Sequence, residues 1–319
     1  MSQSAQMKPT SLPVRSFLNW PVVTDPKQWQ GNVAVVGVAQ SEVYPGNPVP
    51  NDQANAPDAI RLQSGQFCDG ATHWDFDIGT TLSSLDLQTV DCGNLTYDGR
   101  DYEPFAAWQK SVFETLWKNN MQVFALGGDH GITTPALQAL GVLNKDVHVV
   151  HIDAHLDWRD DVQGVKGGYS SPLKRASELP WISGMTQIGM RGTGSARQPE
   201  VEAARAWGSN IITAAQVHRD GVEAVIQQLP KDQLVYLTID ADGLDPSHMP
   251  AVLGPVPGGL YTEQVTALIH AIARNNQLVG MDIVEIAPSI DLPNNITSIT
   301  AGRLIINAIG ATWGPGRDK

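Results

Sequence analysis

The stretch His148–Asp161, "HVVHIDAHLDWRDD", runs apolar through Val149, Val150 and Ile152, then sets Asp153, His155 and Asp157 at every second position. Unpaired, two carboxylates and an imidazole are costly to desolvate unless a cation compensates them. Three further segments end apolar runs with the same chemistry. "GGDHG" brings Asp129 and His130, "DADGLDP" brings Asp240, Asp242 and Asp245, and "MDIVEIAPSID" brings Glu285. Each has an ordinary reading when taken alone: Asp129 as a helix cap, Asp245-Pro246 as a polar turn. Together, His130, His155, Asp153, Asp157, Asp240 and Asp242 exceed the three or four ligands of one tetrahedral zinc site. Carboxylates that bridge two ions use all of them. Oxygen-rich, imidazole-containing, thiolate-free ligation suits Mn(II), and also Ni(II) or Co(II). Two ions about 3.5–4 Å apart bring a shared water toward ionisation near neutral pH, so the chemistry implied is metal-assisted hydrolysis.

Such groups need elements to aim them. Short apolar, β-rich runs are expected as strands at Asn32–Ala39, Trp74–Ile78, Met121–Leu126, Asp146–Asp153, Thr186–Met190, Asn210–Thr213, Leu234–Asp240 and Leu278–Val284. Continuous runs such as "NVAVVGVA" and "QLVYLTID" fit strands covered on both faces. Helical stripes lie between them: Phe105, Trp108, Val112 and Leu116 in one segment, and Val265, Leu268, Ile269 and Ile272 in another with Thr262 as N-cap. A further helix, "TSITAGRLIINAIGA", closes the pattern. The alternation predicts an α/β fold with a doubly wound parallel sheet, in which ligands gather beyond the carboxyl ends of the strands. That is where the candidate residues fall. Residues 1–30 read as an extended arm laid over the body or a neighbouring subunit, and residues 31–319 as a single domain. Glu42–Ala56 and Asp160–Ser171 read as loops, and loops of that length often wall an active site.

Composition narrows the classes. The chain has 319 residues, 42% hydrophobic and 17% charged, with a formal net charge of -12. That supports a large core, and without a Lys/Arg cluster a nucleic-acid partner is not expected. No window approaches the roughly 18 apolar residues of a membrane span, so no membrane partner is expected. The N-terminal segment lacks an apolar core and a cleavage signature. Cys68 and Cys92 show no CxxC spacing and read as free thiols of a cytoplasmic protein.

"GGDH", "DAHLD", "TIDADGLDP" and "GMDIVEIAP", with "APDAIR" and "PGGL", closely resemble the arginase/agmatinase family, the ureohydrolases, over roughly residues 30–310. The resemblance implies a three-layer α/β/α fold around an eight-stranded, mainly parallel sheet, trimers or hexamers, and two divalent ions per chain, Mn(II) or Ni(II). It assigns His130, Asp153, Asp157 and Asp240 to one ion and Asp153, His155, Asp240 and Asp242 to the other, with Asp153 and Asp240 bridging. Asp157 also orients the activated water and takes its proton. Glu285 pairs with the substrate guanidinium, whose paired N–H donors match a carboxylate's two oxygens. The products are an amine and urea or a ureide.

Two departures bear on the substrate. Many ureohydrolases carry a His-Gly pair about ten residues after the DAHxD motif. Here the segment is "VKGGYSSPLKRA", with Gly167 at the histidine position and Tyr169 nearby as a source of a hydroxyl or a rim packing residue. After Asp245, agmatinase-like proteins read G-T-G-T-P-E, whereas this chain reads "AVLGPVPGG", with Gly254 for a threonine and Val256 for a glutamate. If this loop lines the pocket, a small, weakly polar guanidine-type substrate is expected. It would be an alkylated guanidine or a biguanide such as metformin, with agmatine and guanidino acids as the alternative. Metformin hydrolases resemble the family, use nickel, and pair an active with an inactive subunit. Two other classes remain in view: one-zinc deacetylases of related fold, which need fewer ligands, and a non-catalytic partner subunit, which typically loses them. Among the other residues, His248 is a candidate to face the pocket and His151 to orient a ligand carboxylate. His148 reads as a satisfied core group, and His73, His218 and His270 as surface or packing residues. Arg191 reads as a strand-end structural residue, and Trp158 as a packing wall.

Overall fold

The computed structural model describes residues 8–41, 44–45, 52–66, 71–193 and 196–315. Among them, eight strands form one sheet: β1 (Val33–Ala39), β2 (Thr89–Thr96), β3 (Gln122–Leu126), β4 (Val147–Ile152), β5 (Ile182–Met190), β6 (Asn210–Thr213), β7 (Leu234–Asp240) and β8 (Gln277–Val284). All pairings are parallel, in the order β2-β1-β3-β8-β7-β4-β5-β6. The helices are α1 (Ala56–Gln63), α2 (Tyr102–Lys118), α3 (Thr133–Ala139), α4 (Pro172–Ala176), α5 (Gln198–Trp207), α6 (Ala214–Asp220), α7 (Val222–Ile226), α8 (Thr262–Asn275) and α9 (Ile296–Trp313).

Strand alternation sorts these elements into layers. Val33 and Val35 of β1 join one core with Ile60 of α1, Val217 of α6, Val225 of α7, Val265 of α8 and Leu304 of α9. Ala34 and Val36 join the opposite core with Phe113 of α2, Leu137 of α3, Leu173 of α4 and Ala204 of α5. The sheet is therefore the middle of three layers, and its strands are apolar on both faces, as the continuous runs require. The strands that carry the candidate groups, β3, β8, β7 and β4, are consecutive neighbours at the centre of the sheet.

One expected strand is absent and one unexpected strand takes its place at the edge. Trp74–Ile78 is a turn, not a strand: Asp75 N–H donates to the Thr80 carbonyl, Gly79 N–H to that of Asp75, and Trp74 and Phe76 are exposed. Its carboxylates are spent on Arg303, whose guanidinium reaches both Asp75 and Asp77. The true edge strand is β2, "TVDCGNLT", whose Asp91, Gly93 and Asn94 interrupt the apolar pattern. Those polar groups are buried because Arg61 of α1, itself fully buried, donates Nε and Nη2 to the two oxygens of Asp91 at 2.8 and 2.9 Å. The N-cap of α8 also shifts by one position. Tyr261 is the extended residue before the helix, its N–H on Gln264 Oε1, and Thr262 is the first helical residue.

Residues of the N-terminal segment line the outer edge of β2. Ser11 and Asn94 exchange backbone hydrogen bonds of 2.9 and 2.8 Å, Val23 N–H donates to Asp91 O, and Asp91 N–H donates to Pro21 O. This covers an edge otherwise open to pairing with another chain. The Glu42–Ala56 loop falls mostly outside the described residues, and Ala56 already begins α1. Cys92 is a buried free thiol, and Cys68 lies outside the described residues. Among the described residues, no helix is long and apolar enough to cross a membrane.

Candidate metal centre

The DAHLD residues converge by a turn rather than by strand alternation. β4 ends at Ile152, the N–H of His155 folds back onto Asp153 Oδ1 at 2.5 Å, and Asp157 takes φ 49°, a left-handed conformation. Glu285, just past β8, likewise has φ 65°. Non-glycine residues held there cost about 1–3 kcal/mol each and cluster where the surrounding structure over-determines a functional geometry.

The cluster has two halves sharing one carboxylate. On one side, His130 Nδ1 lies 3.4 Å from Asp153 Oδ2, 2.9 Å from Asp157 Oδ2 and 3.4 Å from Asp240 Oδ2. On the other, His155 Nδ1 lies 3.4 Å from Asp153 Oδ1 and 3.0 Å from Asp242 Oδ2. Asp153 thus presents one oxygen to each half. Asp240 gives Oδ2 to the first half, while its Oδ1 accepts the N–H of Asp242 at 2.9 Å. His130, Asp153, Asp157, Asp240 and Asp242 are buried and His155 is partly exposed.

The protons on this network are assigned by its partners. Thr238 Oγ1 donates to Asp282 Oδ1 at 2.5 Å, and His130 Nε2 sits 2.9 Å from the same hydroxyl. Nε2 therefore carries a hydrogen, and Nδ1 faces three carboxylate oxygens; burial opposes a charge on the ring, yet Asp153, Asp157 and Asp240 push it well above its ordinary range. That nitrogen is buried and makes no hydrogen bond among the described residues. A divalent cation in place of a proton on that nitrogen would satisfy the imidazole and the carboxylate oxygens together. Asp282 is fixed in turn by Thr133 Oγ1 and Tyr236 Oη, both at 2.8 Å. The geometric clustering of ligand-type atoms also takes in His151. Its Nδ1 accepts from Gln187 Nε2 at 3.1 Å, so its Nε2 donates to Asp153 Oδ2 at 2.7 Å. Both ring nitrogens are thereby used, and His151 orients Asp153.

Charge tells the same story. Burial, then Asp242 and Asp153, push the Asp240 carboxyl well above its ordinary range. Burial, then Asp153, push Asp242 up to about 6 and also raise Asp157. Burial opposes protonation of His155, yet Asp153 and Asp242 push it up to about 12. Three of the four carboxylates in this buried site are thus pushed toward the protonated form, a push that a bound cation would offset. The donor set and the unsatisfied Nδ1 fit a divalent-metal site.

Glu285 stands beside the first half, its Oε1 accepting the His130 N–H at 2.7 Å and its Oε2 accepting Gln53 Nε2 at 3.2 Å. Burial, then the charge of Asp129, push it up to about 8. Tyr169 packs edge-to-face on Tyr44, ring centroids 4.5 Å apart. His248 is turned to the start of α8, its Nδ1 2.9 Å from Thr262 Oγ1 and its ring stacked on Tyr261. In the Ala251–Val256 loop, Gly254 approaches the second half: a Cβ there would lie 3.2 Å from Asp242 Oδ2 and from His155 Cε1. Val252, by contrast, is buried in the core and bridges to Ile286, so it does not line the site.

Sequence reading did not single out Gln53, Gln187, Thr238 or Asp282. The signal available for two of them was register: Thr238 lies two residues before Asp240 on one face of β7 and pairs with Asp282 across β8. Arg191, read as structural, reaches the carbonyls of Gly189, Asp242, Gly243, Leu244 and Val256, tying both metal-side loops together. His148 donates to or accepts from Thr186 at 2.9 Å, and burial lowers its pKa to about 4. Trp158 packs on Trp207. Thr238→Val removes the acceptor that holds the His130 ring, and a metal affinity about 10–100-fold weaker is expected from the loss of such a contact. Chelator competition titrations with the variant and the parent measure it.

Comparison with known proteins agrees. An N(1)-aminopropylagmatine ureohydrolase of Thermus thermophilus is 36% identical over 190 residues, 59% of this chain and 61% of that protein, so the match spans less than two thirds of its length. An agmatinase of Neisseria meningitidis is 28% identical over 92% of this chain and 91% of its own. The structure of proclavaminate amidino hydrolase from Streptomyces clavuligerus superposes with a TM-score of 0.82 at 26% identity, covering 96% of this chain and 99% of that one. Residues 31–310 match the family model of the Arginase family, and the chain belongs to that family.

Proposed function

We propose that this chain is a hydrolase that cleaves a C–N bond of a small guanidine-type substrate, releasing urea or a ureide and an amine. The observation that carries the reading is the buried pair of half-sites sharing Asp153, with Glu285 donated into by the backbone of ligand His130. Two divalent ions, Mn(II) or Ni(II), would be held by His130, Asp153, Asp157 and Asp240 and by Asp153, His155, Asp240 and Asp242, and would supply the Lewis acidity that ionises water near neutral pH.

The chain's own residues do the rest. Glu285 offers its carboxylate to the planar guanidinium. The donors from His130 and Gln53 fix its plane, and each oxygen keeps a second lone pair for a substrate N–H. A carboxyl raised by burial is charged most readily when a cation arrives beside it. Asp157, buried and turned inward by its left-handed backbone, accepts the proton of the attacking water on its second oxygen and returns it to the leaving amine as the tetrahedral carbon collapses.

Gly254 brings bare backbone against Asp242 and His155, where a threonine hydroxyl is missing, and Leu253 beside it is half-buried. This supports a weakly polar substrate, an alkylated guanidine or a biguanide, over agmatine or a guanidino acid. Assembly as a homo- or hetero-oligomer, trimeric or hexameric, belongs to the same proposal. The test is release of urea or ureide and of amine from a panel of agmatine, arginine, guanidino acids, N-alkylguanidines and biguanides, with Mn(II), Ni(II) or Co(II) loaded in turn. Alkylated guanidines and biguanides are expected to lead. Agmatine outperforming all of them would overturn the substrate class, and no urea, ureide or amine from any member would overturn the hydrolase reading.

A further inference from the structure

The loop between metal-site residue Asp157 and α4 begins and ends on the same residue. The N–H groups of Leu173 and Lys174 both return to the Asp157 carbonyl, at 3.2 and 3.3 Å. Between these ends, Arg159 N–H donates to Ser170 O, and Val162 and Val165 exchange backbone bonds. The middle of the loop is held from outside by two tyrosines. Tyr102, the first residue of α2, donates its hydroxyl to Gly167 O at 2.7 Å. Tyr44 accepts the N–H of Ser170 at 3.1 Å. Both rings occupy side-chain space the loop forgoes. A Cβ at Gly167 would lie 2.7 Å from Tyr102 Oη and 3.0 Å from its Cε1, and one at Gly168 would lie 2.2 Å from the Tyr44 ring. The clamped carbonyl faces the metal side: a Cβ on Gly131, next to His130, would lie 3.1 Å from Gly167 O.

We propose that Tyr102 is a positioning residue for the catalytic site: its hydroxyl clamp on Gly167 fixes the height of the Asp157–Ser171 loop above the metal half-site of His130 and so sets the fit of the substrate. The inference rests on the hydrolase reading above for its kinetic readout, and on geometry alone for its structural one. Burial, then the charge of Asp129, push the Tyr102 hydroxyl up from its ordinary range. It therefore remains a donor throughout the working pH range, so the clamp does not open by titration. The ring acts as a spacer and the hydroxyl as a latch, and the two parts separate by mutation. Tyr102→Phe keeps the spacer and removes the latch. Gly167→Ala keeps the latch donor but pushes the loop off the ring.

Four proteins decide it: Tyr102→Phe, Gly167→Ala, Tyr102→Ala and the Tyr102→Ala/Gly167→Ala double variant, each measured for metal content, for kcat and KM on the panel's best substrate, and for the rate of tryptic cleavage after exposed Lys166. Tyr102→Phe is expected to lose about tenfold or more in kcat/KM, as other contacts that orient site groups do, with bound metal unchanged. It is also expected to be cut faster at Lys166. Gly167→Ala is expected to cost about tenfold in the parent and much less in the Tyr102→Ala background, because the clash partner is gone and the two effects do not add. Equal costs of Gly167→Ala in both backgrounds, or a Tyr102→Phe protein with unchanged kcat/KM and unchanged cleavage, would overturn the proposal. If Tyr102→Ala does not fold, the Tyr102→Phe arm still decides. If the parent releases no urea, ureide or amine from any substrate of the panel, the hydrolase reading fails while the cleavage rate still reads the clamp.

Discussion

Asp153→Ala is expected to cost the protein most of its bound metal and about a thousandfold or more of its turnover, several kcal/mol of Lewis-acid stabilisation at 1.4 kcal/mol per factor of ten. Asp153 reaches both halves of the cluster, its Oδ2 facing His130 and its Oδ1 facing His155. It is also the carboxylate with the most support: although burial opposes its charge, His151, His130 and His155 hold it well below the ordinary carboxylate range. After burial, its charge is among the causes that push Asp240, Asp242 and Asp157 upward. Metal analysis and urea release on the purified variant check this. Retention of both metal and activity would remove Asp153 from the site.

The largest effect on stability is expected far from the metals. Arg61→Met leaves Asp91 buried, with the N–H groups of Phe17 and Gly93 as its remaining donors. Removing one partner of a buried ion pair costs about 3–5 kcal/mol, because the other charge is stranded. The effect should propagate: Asp91 anchors Phe17 and pairs by its backbone with Pro21 and Val23, so the N-terminal segment should loosen from β2 with it. Urea unfolding of the variant measures the loss, and the Arg61→Met/Asp91→Leu protein should recover most of it. A single variant within 1 kcal/mol of the parent would show that the pair carries no such weight.

The centre of the molecule was legible in the sequence because it obeys local rules. β1, β3, β4, β7 and β8 are continuous apolar runs, each covered on both faces, and the polar residues that end four neighbouring strands stand out against them. The fold and the family followed from those runs and their endings. What was not legible depends on contacts remote in the chain. β2 is a strand because Arg61, about thirty positions earlier, neutralises Asp91. Trp74–Ile78 has strand-like alternation but spends its carboxylates on Arg303, more than 200 positions later. In the site, candidate ligands are read from residue type, but their orienting partners are not. Thr238 looks like an ordinary strand threonine until Asp282 is beside it, and Gln53 looks like a loop glutamine until it meets Glu285. The turn at Asp157 belongs to the same class, since spacing alone suggested that an extended strand aligned the three groups.

The central claim is that six residues hold two ions, and metal content tests it most directly. Protein stripped with chelator, reloaded with Mn(II) or Ni(II) and freed of excess should hold close to two ions per chain by elemental analysis, falling to about one or fewer in Asp153→Ala. A parent protein that saturates at one ion per chain with every metal offered would contradict the account.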